Sequence, residues 1–154
     1  MKKLSYLFYI IILALFLIFL YHGCGEDDSP VNSENGSTTV TGTLTLPAAA
    51  ANKTFFVAID YDRNGDNGFK YSVTGTCGAE TTENYSISNV AAGNYYIYAV
   101  VFVGGDLSQG PQSGDYLGFY GGTISNPPNS PNASIPSSGT VTFDISLEVM
   151  PWLN

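Results

Sequence analysis

The stretch Tyr85-Ser-Ile-Ser-Asn-Val-Ala-Ala-Gly-Asn-Tyr-Tyr-Ile-Tyr-Ala-Val-Val-Phe-Val103 decides the fold. Its first half alternates. Tyr85 and Ile87 share one face and Ser86 and Ser88 the other, the pattern of a strand with one wet side. Ala91-Ala92-Gly93-Asn94 then turns the chain, and Gly93 is expected to supply the positive φ that a tight turn can demand. From Tyr95 to Val103 both parities are apolar or aromatic. That segment reads as a central strand covered on both sides.

The same period of two recurs on either side of this stretch. Val40, Gly42, Leu44 and Leu46 alternate with Thr39, Thr41, Thr43 and Thr45 until Pro47 ends the run. Phe55, Val57, Ile59 and Tyr61 form a second strand with Phe56 and Ala58 between them. A loop over 62–68 follows, and Phe69, Tyr71 and Val73 read as the return strand of a hairpin. Leu117 to Tyr120 reads as a short strand within a long Gly-rich excursion over 104–122. The segment 126–136 holds four prolines and is expected to stay outside any ladder. Val141, Phe143, Ile145, Leu147 and Val149 alternate with Thr142, Asp144, Ser146 and Glu148, the cleanest strand pattern in the chain. No segment carries a convincing helical period. The sequence therefore predicts an all-β chain, a single antiparallel Greek-key β-sandwich of six to seven strands over residues 39–150, with a short tail at 151–154.

Tyr85-Ser-Ile-Ser-Asn-Val-Ala-Ala-Gly-Asn-Tyr-Tyr-Ile-Tyr-Ala, with Val40-Thr-Gly-Thr-Leu before it, resembles the carboxypeptidase-regulatory-like, or transthyretin-like, β-sandwich modules. In those modules an aromatic-x-aliphatic strand leads through a glycine turn into a long central strand. Pro47-Ala-Ala-Ala-Ala stands here where they carry a proline-containing stretch before the second strand. The resemblance implies a fold and a binding or scaffolding habit, and no reaction.

Met1-Lys2-Lys3 precedes the run Leu4–Tyr21, which is apolar and aromatic but for Ser5, and His22-Gly23-Cys24 follows. A basic start, an apolar middle and a small residue before a cysteine resemble the signal of bacterial lipoproteins. That likeness implies cleavage after Gly23 (residues 1–23 as signal peptide), a lipid on Cys24 and anchorage in the cell envelope, facing the periplasm or the cell surface. The family usually has an aliphatic residue and a small one at the positions that Tyr21 and His22 occupy here. The run also has the ~18–20 residues of a spanning helix, so an uncleaved anchor is the alternative. Residues 24–38 are polar and acidic and read as a flexible tether.

All 13 acidic residues lie after Cys24, where Lys53, Arg63 and Lys70 are the only basic ones, so the mature chain carries 3 − 13 = −10. Nucleic-acid binding rests on Lys and Arg neutralising phosphates and is not expected. No histidine follows His22, which rules out a Ser-His-Asp arrangement or a His-based zinc site in the mature chain. Cys77 has no basic group near it in sequence to activate it and is expected to be a buried apolar thiol.

One stretch carries metal chemistry. In Asp60-Tyr-Asp62-Arg-Asn64-Gly65-Asp66-Asn-Gly68 an oxygen donor recurs at every second residue, like the front half of an EF-hand-type calcium loop. The bidentate Glu such a loop needs at its twelfth position is Tyr71 here. Asp106 and Asp115 are the expected source of extra ligands. The competing reading is an ordinary Asp/Asn/Gly turn. The expected function is thus a non-enzymatic, membrane-anchored envelope lipoprotein that binds or scaffolds, stabilised by calcium. One alternative is a glycan- or peptide-binding module using Tyr116, Phe119 and Tyr120 of the Gly-rich loop. The other is a hydrolase built on paired carboxylates.

Overall fold

Thr/apolar alternation builds β1 (Ser37–Thr45), which buries Thr38, Val40, Gly42 and Leu44 and turns the intervening threonines outward. The structure, a computed structural model, describes residues 36–63 and 68–151. The leader, Cys24, Asn64 and Asp66 lie outside them. The other elements are β2 (Thr54–Asp60), β3 (Tyr71–Thr76), β4 (Thr82–Val90), β5 (Gly93–Phe102), β6 (Tyr116–Phe119), β7 (Ala133–Ile135), β8 (Ser138–Thr142), β9 (Ile145–Ser146) and β10 (Glu148–Val149). The described residues contain no helix, so none that could cross a membrane.

These strands form two sheets. The smaller has the order β4-β1-β8, with β9 also beside β1; the larger has the order β10-β6-β5-β2-β3, with β7 beside the start of β5. One apolar cluster takes Val40, Leu44, Tyr85, Ile87 and Ile145 from the small sheet and Phe55, Val57, Ile59, Tyr95, Ile97 and Val101 from the large one. The sheets therefore face each other across a shared core. Each Val, Leu or Ile buried there contributes about 1.5–3 kcal/mol relative to exposure.

Local chemistry explains the closest approaches. Tyr85 donates its hydroxyl to the Phe143 carbonyl at 2.6 Å. Its ring passes over Gly42, where an added Cβ would stand 2.6 Å from the ring and 2.0 Å from that carbonyl oxygen. Gly93 is needed for the same reason and not for its φ. A Cβ there would lie 2.9 Å from the Tyr95 ring, whereas the positive φ near this turn belongs to Asn89, at 61°. Asn89 sits in a bulge of β4, since Thr38 pairs with Val90 but Val40 pairs with Ile87. Asparagine tolerates that backbone region better than most residues.

Four expectations change. The cleanest strand of the sequence is divided: β8 and β9 lie beside β1, whereas β10 pairs with β6 in the other sheet. The Asp144 carboxylate accepts the Thr43 amide at 2.8 Å, taking the place of a backbone acceptor at the break. Second, β1 pairs with β8 and β9 in parallel, so the sandwich is not wholly antiparallel. Third, the proline-rich segment does contribute a strand. Ala133–Ile135, lying between Pro131 and Pro136, has its amides free and pairs with Gly93–Tyr95. Fourth, the return strand starts at Tyr71, and Phe69 lies before it. Gly68 precedes Phe69 at φ 83°, and the Phe69 ring lies on the outer face of the sheet against Phe56.

Candidate binding site

A strand of period two has a second set of side chains, and on the large sheet that set is apolar as well. Phe56 and Ala58 of β2 and Tyr96, Tyr98, Val100 and Phe102 of β5 form a separate buried cluster, with Leu117 and Phe119 of β6 packed against it. The register places Phe56 opposite Val100 and Ala58 opposite Tyr98, with Phe119 opposite Tyr98 on the other side. This is the covered outer side that the Tyr95–Val103 pattern predicts.

Two pieces of chain cover it in part. Phe69 meets Phe56 edge-on at 4.8 Å between centroids and Tyr98 at 6.2 Å. Leu107, Gly110 and Pro111 come from the loop after β5. Together with the sheet they enclose a cleft of about 220 Å³ that Arg63 also lines. Arg63 is held there by donating from Nη1 to the Pro128 carbonyl at 2.9 Å. Both covering side chains remain open to solvent, Phe69 at 45% and Leu107 at 48%.

Asp115 shapes the loop. It is fully buried, and its Oδ1 accepts the amides of Val103, Gly104 and Gly105 while Oδ2 accepts that of Gln112. Burial alone would raise its pKa, but these four amides outweigh it and hold the carboxyl below the usual aspartate range. The carboxylate is thus engaged in clamping its own loop. It also stands beside Val103, seven residues along the chain from Tyr96, the partner of Asp60. At ~3.3 Å per residue that is roughly 23 Å. Asp115 is thus placed away from Asp60, in a loop of its own. Asp106 likewise serves its own turn, accepting the amide and hydroxyl of Ser108 and the amide of Gln109.

Asp60 and Asp62 do come together, lining a hollow with Tyr61, Gly68, Phe69 and Lys70. Asp60 is buried. Its Oδ1 accepts the Tyr61 amide at 2.8 Å, and its Oδ2 has no hydrogen-bond partner among the described residues. Burial first, and then the charge of Asp62, push its carboxyl above the usual range. The Tyr98 hydroxyl is also buried and unpartnered among the described residues. Burial, and then the charges of Asp60 and Asp62, raise its pKa. Among the described residues no three of His, Cys, Asp and Glu gather around one point. Asn64 and Asp66, the other two expected ligands, lie outside those residues.

The aromatic trio expected to bind a ligand is divided by strand parity. Tyr116 points into the shared core, and Tyr120 meets Phe143 there at 4.7 Å. Phe119 alone faces the cleft. The sequence offers Tyr98 among its binding aromatics, but it does not point to Phe56, Phe69, Phe102 or Leu107, which line the cleft as well. The signal for Tyr98 and Phe102 was the double-sided apolar run of β5. For Phe56 it was an aromatic at a position that one wet face would make polar. Cys77 is buried, as expected, and burial with the nearby Glu83 charge lifts its thiol to about 11, the opposite of activation.

Comparison with protein-family profiles, with curated proteins and with solved structures finds no match to this chain.

Proposed function

We propose that this chain is a non-enzymatic, membrane-anchored envelope lipoprotein whose sandwich binds a partner through the cleft on the outer side of its large sheet. One observation carries the binding role: a sheet needs one apolar side to make a sandwich, and this one has two, the second left partly open between Phe69 and Leu107. The anchoring role rests on the sequence from Met1 to Cys24. No nucleic acid is expected as partner, and the site of action is the bacterial envelope, facing the periplasm or the surface.

Mass spectrometry of the chain purified from bacterial membranes tests the anchor. A diacylglyceryl adduct on an N-terminal Cys24 is the expected result; an intact Met1 overturns lipidation. A polarity-sensitive apolar dye tests the cleft. The full chain in lipid nanodiscs should bind one dye per molecule and lose it in the double variant Phe69→Ser/Leu107→Ser. Equal binding by both forms would remove the cleft from the reading.

A second reading concerns calcium. The unpartnered Oδ2 of buried Asp60, beside Asp62, supports a stabilising cation held by Asp60 and Asp62 together with Asn64 and Asp66 of the sequence motif. Titration calorimetry of the full chain with calcium should give heat, and the melting temperature should rise. Neither change at millimolar calcium would end this reading.

A further inference from the structure

Resting on the binding reading above, we infer that the cleft takes a small aromatic carboxylate, with its ring among the phenyl walls and its carboxylate paired with the Arg63 guanidinium.

Charge decides the class of ligand. Arg63 is the one charged side chain among the described residues that border the cleft. After Cys24 the chain holds three basic residues against 13 acidic ones, so a cation at the border of an apolar cleft departs from the rest of its surface. Arg63 is exposed, and its one hydrogen bond among the described residues runs from Nη1 to the Pro128 carbonyl at 2.9 Å. The side chain thus bridges the loop after β2 and the segment after β6. That contact fixes the guanidinium and leaves its other N–H groups open to a ligand. A guanidinium presents such groups as a planar fork that matches a carboxylate. Apolar walls supply the burial in a pocket of this kind, and one charged group orients the ligand. Asp60 and Asp62 line the neighbouring hollow and not this cleft.

The count of charges narrows the anion. One guanidinium balances one negative charge. A phosphate monoester carries close to two near neutral pH, and the excess would face a mature chain of 3 − 13 = −10. A carboxylate carries one and leaves no excess.

The walls narrow the rest. A cavity of roughly 150 Å³ holds benzene, so the cleft of about 220 Å³ has room for one ring and a short linker. Pockets for drug-sized ligands run from about 300 to 1,000 Å³, which sets fused rings and long acyl chains aside. Phe56, Phe69, Phe102 and Phe119 border the space. Phe56 and Phe69 already meet edge-on at 60°, and Tyr98 and Phe119 are tilted at 45°. An entering ring extends that array, and each such pair contributes beyond the area it buries.

The test uses the full chain in nanodiscs of neutral lipid with labelled Leu and Val methyls, reading Val100, Leu107 and Leu117 by NMR. The probes are 3-phenylpropionate, 3-phenylpropanamide, 3-phenylpropylammonium and octanoate. The phenylpropionate should shift these methyls and bind about fivefold more tightly than its amide, the upper worth of an ion pair at an exposed position. The ammonium should bind more weakly than the amide. Octanoate should bind about threefold more weakly than phenylpropionate, since it lacks the ring contacts. Added salt should narrow the gap between carboxylate and amide. Arg63→Gln, which keeps an N–H for the Pro128 carbonyl, should bring the carboxylate down to the level of the amide.

Equal binding of phenylpropionate and its amide would overturn the anion. Octanoate binding as tightly would overturn the ring, and a carboxylate preference that survives Arg63→Gln would overturn the role of Arg63. In each case continued binding of the apolar dye leaves the cleft as a binding site. Failure of the dye together with every probe would remove the site itself.

Discussion

The two sheets carry opposite outer sides. On the small sheet the outward positions of β1 are Thr39, Thr41, Thr43 and Thr45, and those of β4 include Asn84, Ser86 and Ser88. Thr41 and Thr142 meet across strands at 3.1 Å, as do Thr43 and Asn84 at 3.3 Å. On the large sheet the equivalent positions are Phe56, Tyr98, Val100 and Phe102. The small sheet therefore behaves as an ordinary half-solvated layer, and the large sheet is apolar on both sides. Apolar residues facing away from the partner sheet do not join the two sheets to each other. Phe69 and the loop after β5 cover them in part.

That contrast can be broken at several points. Ile97→Ala, on the side of β5 facing the small sheet, should cost about 2–5 kcal/mol in urea unfolding; a loss below about 1 kcal/mol would mean that the sheets do not share a core. Asp115→Ala strips four amides of their charged acceptor and should cost about 3 kcal/mol. The pH dependence has a definite sign. Because the folded pKa of Asp115 is depressed, its contribution is complete above the ordinary aspartate value near 3.9 and is lost as pH falls through the lower folded value. Melting curves of Asp115→Asn should lack this acid-limb loss.

The sharpest comparison sets one outer side against the other. Val100→Ala should cost about 1–2 kcal/mol, since its side chain is buried on the outer side. Ser86→Ala on the small sheet should stay within about 0.5 kcal/mol. Equal effects would mean that the apolar outer cluster is not packed. Last, Asp60→Asn should raise stability by about 1 kcal/mol at neutral pH without calcium, because it removes a buried charge with an unpartnered oxygen. Asp60 has a raised pKa, so ionising it costs stability, and the gain from Asp60→Asn should fade as pH drops through that raised value. A gain that persists in acid would locate its cause elsewhere.

Much of this is legible in the residues, because period two is a strong signal and β1 and β4 each carry it cleanly. The covered outer side of β5 could be read from Tyr95–Val103. What period cannot give is the partner. Nothing in Val141–Val149 shows that its neighbour runs parallel, or that its last residues join the other sheet. The site is less legible. Tyr116, Phe119 and Tyr120 are alike in composition, and only the parity of β6 separates the one that faces the cleft. Phe69 reads as part of the return strand, but β3 begins only at Tyr71 and the Phe69 ring packs on Phe56 on the other face of the sheet. Asp115 looked like a spare carboxylate, since its four amide donors come from residues before it in an irregular loop.

The parallel pairing of β1 with β8 and β9 has a mechanical side. The chain enters this ladder at Ser37 and leaves it past Leu147, at opposite ends of the same pair. A pull on those two points slides the strands lengthwise, so the ladder bonds share the load and must rupture together. Tension applied between those two points meets the sandwich in shear, the direction in which a ladder resists most.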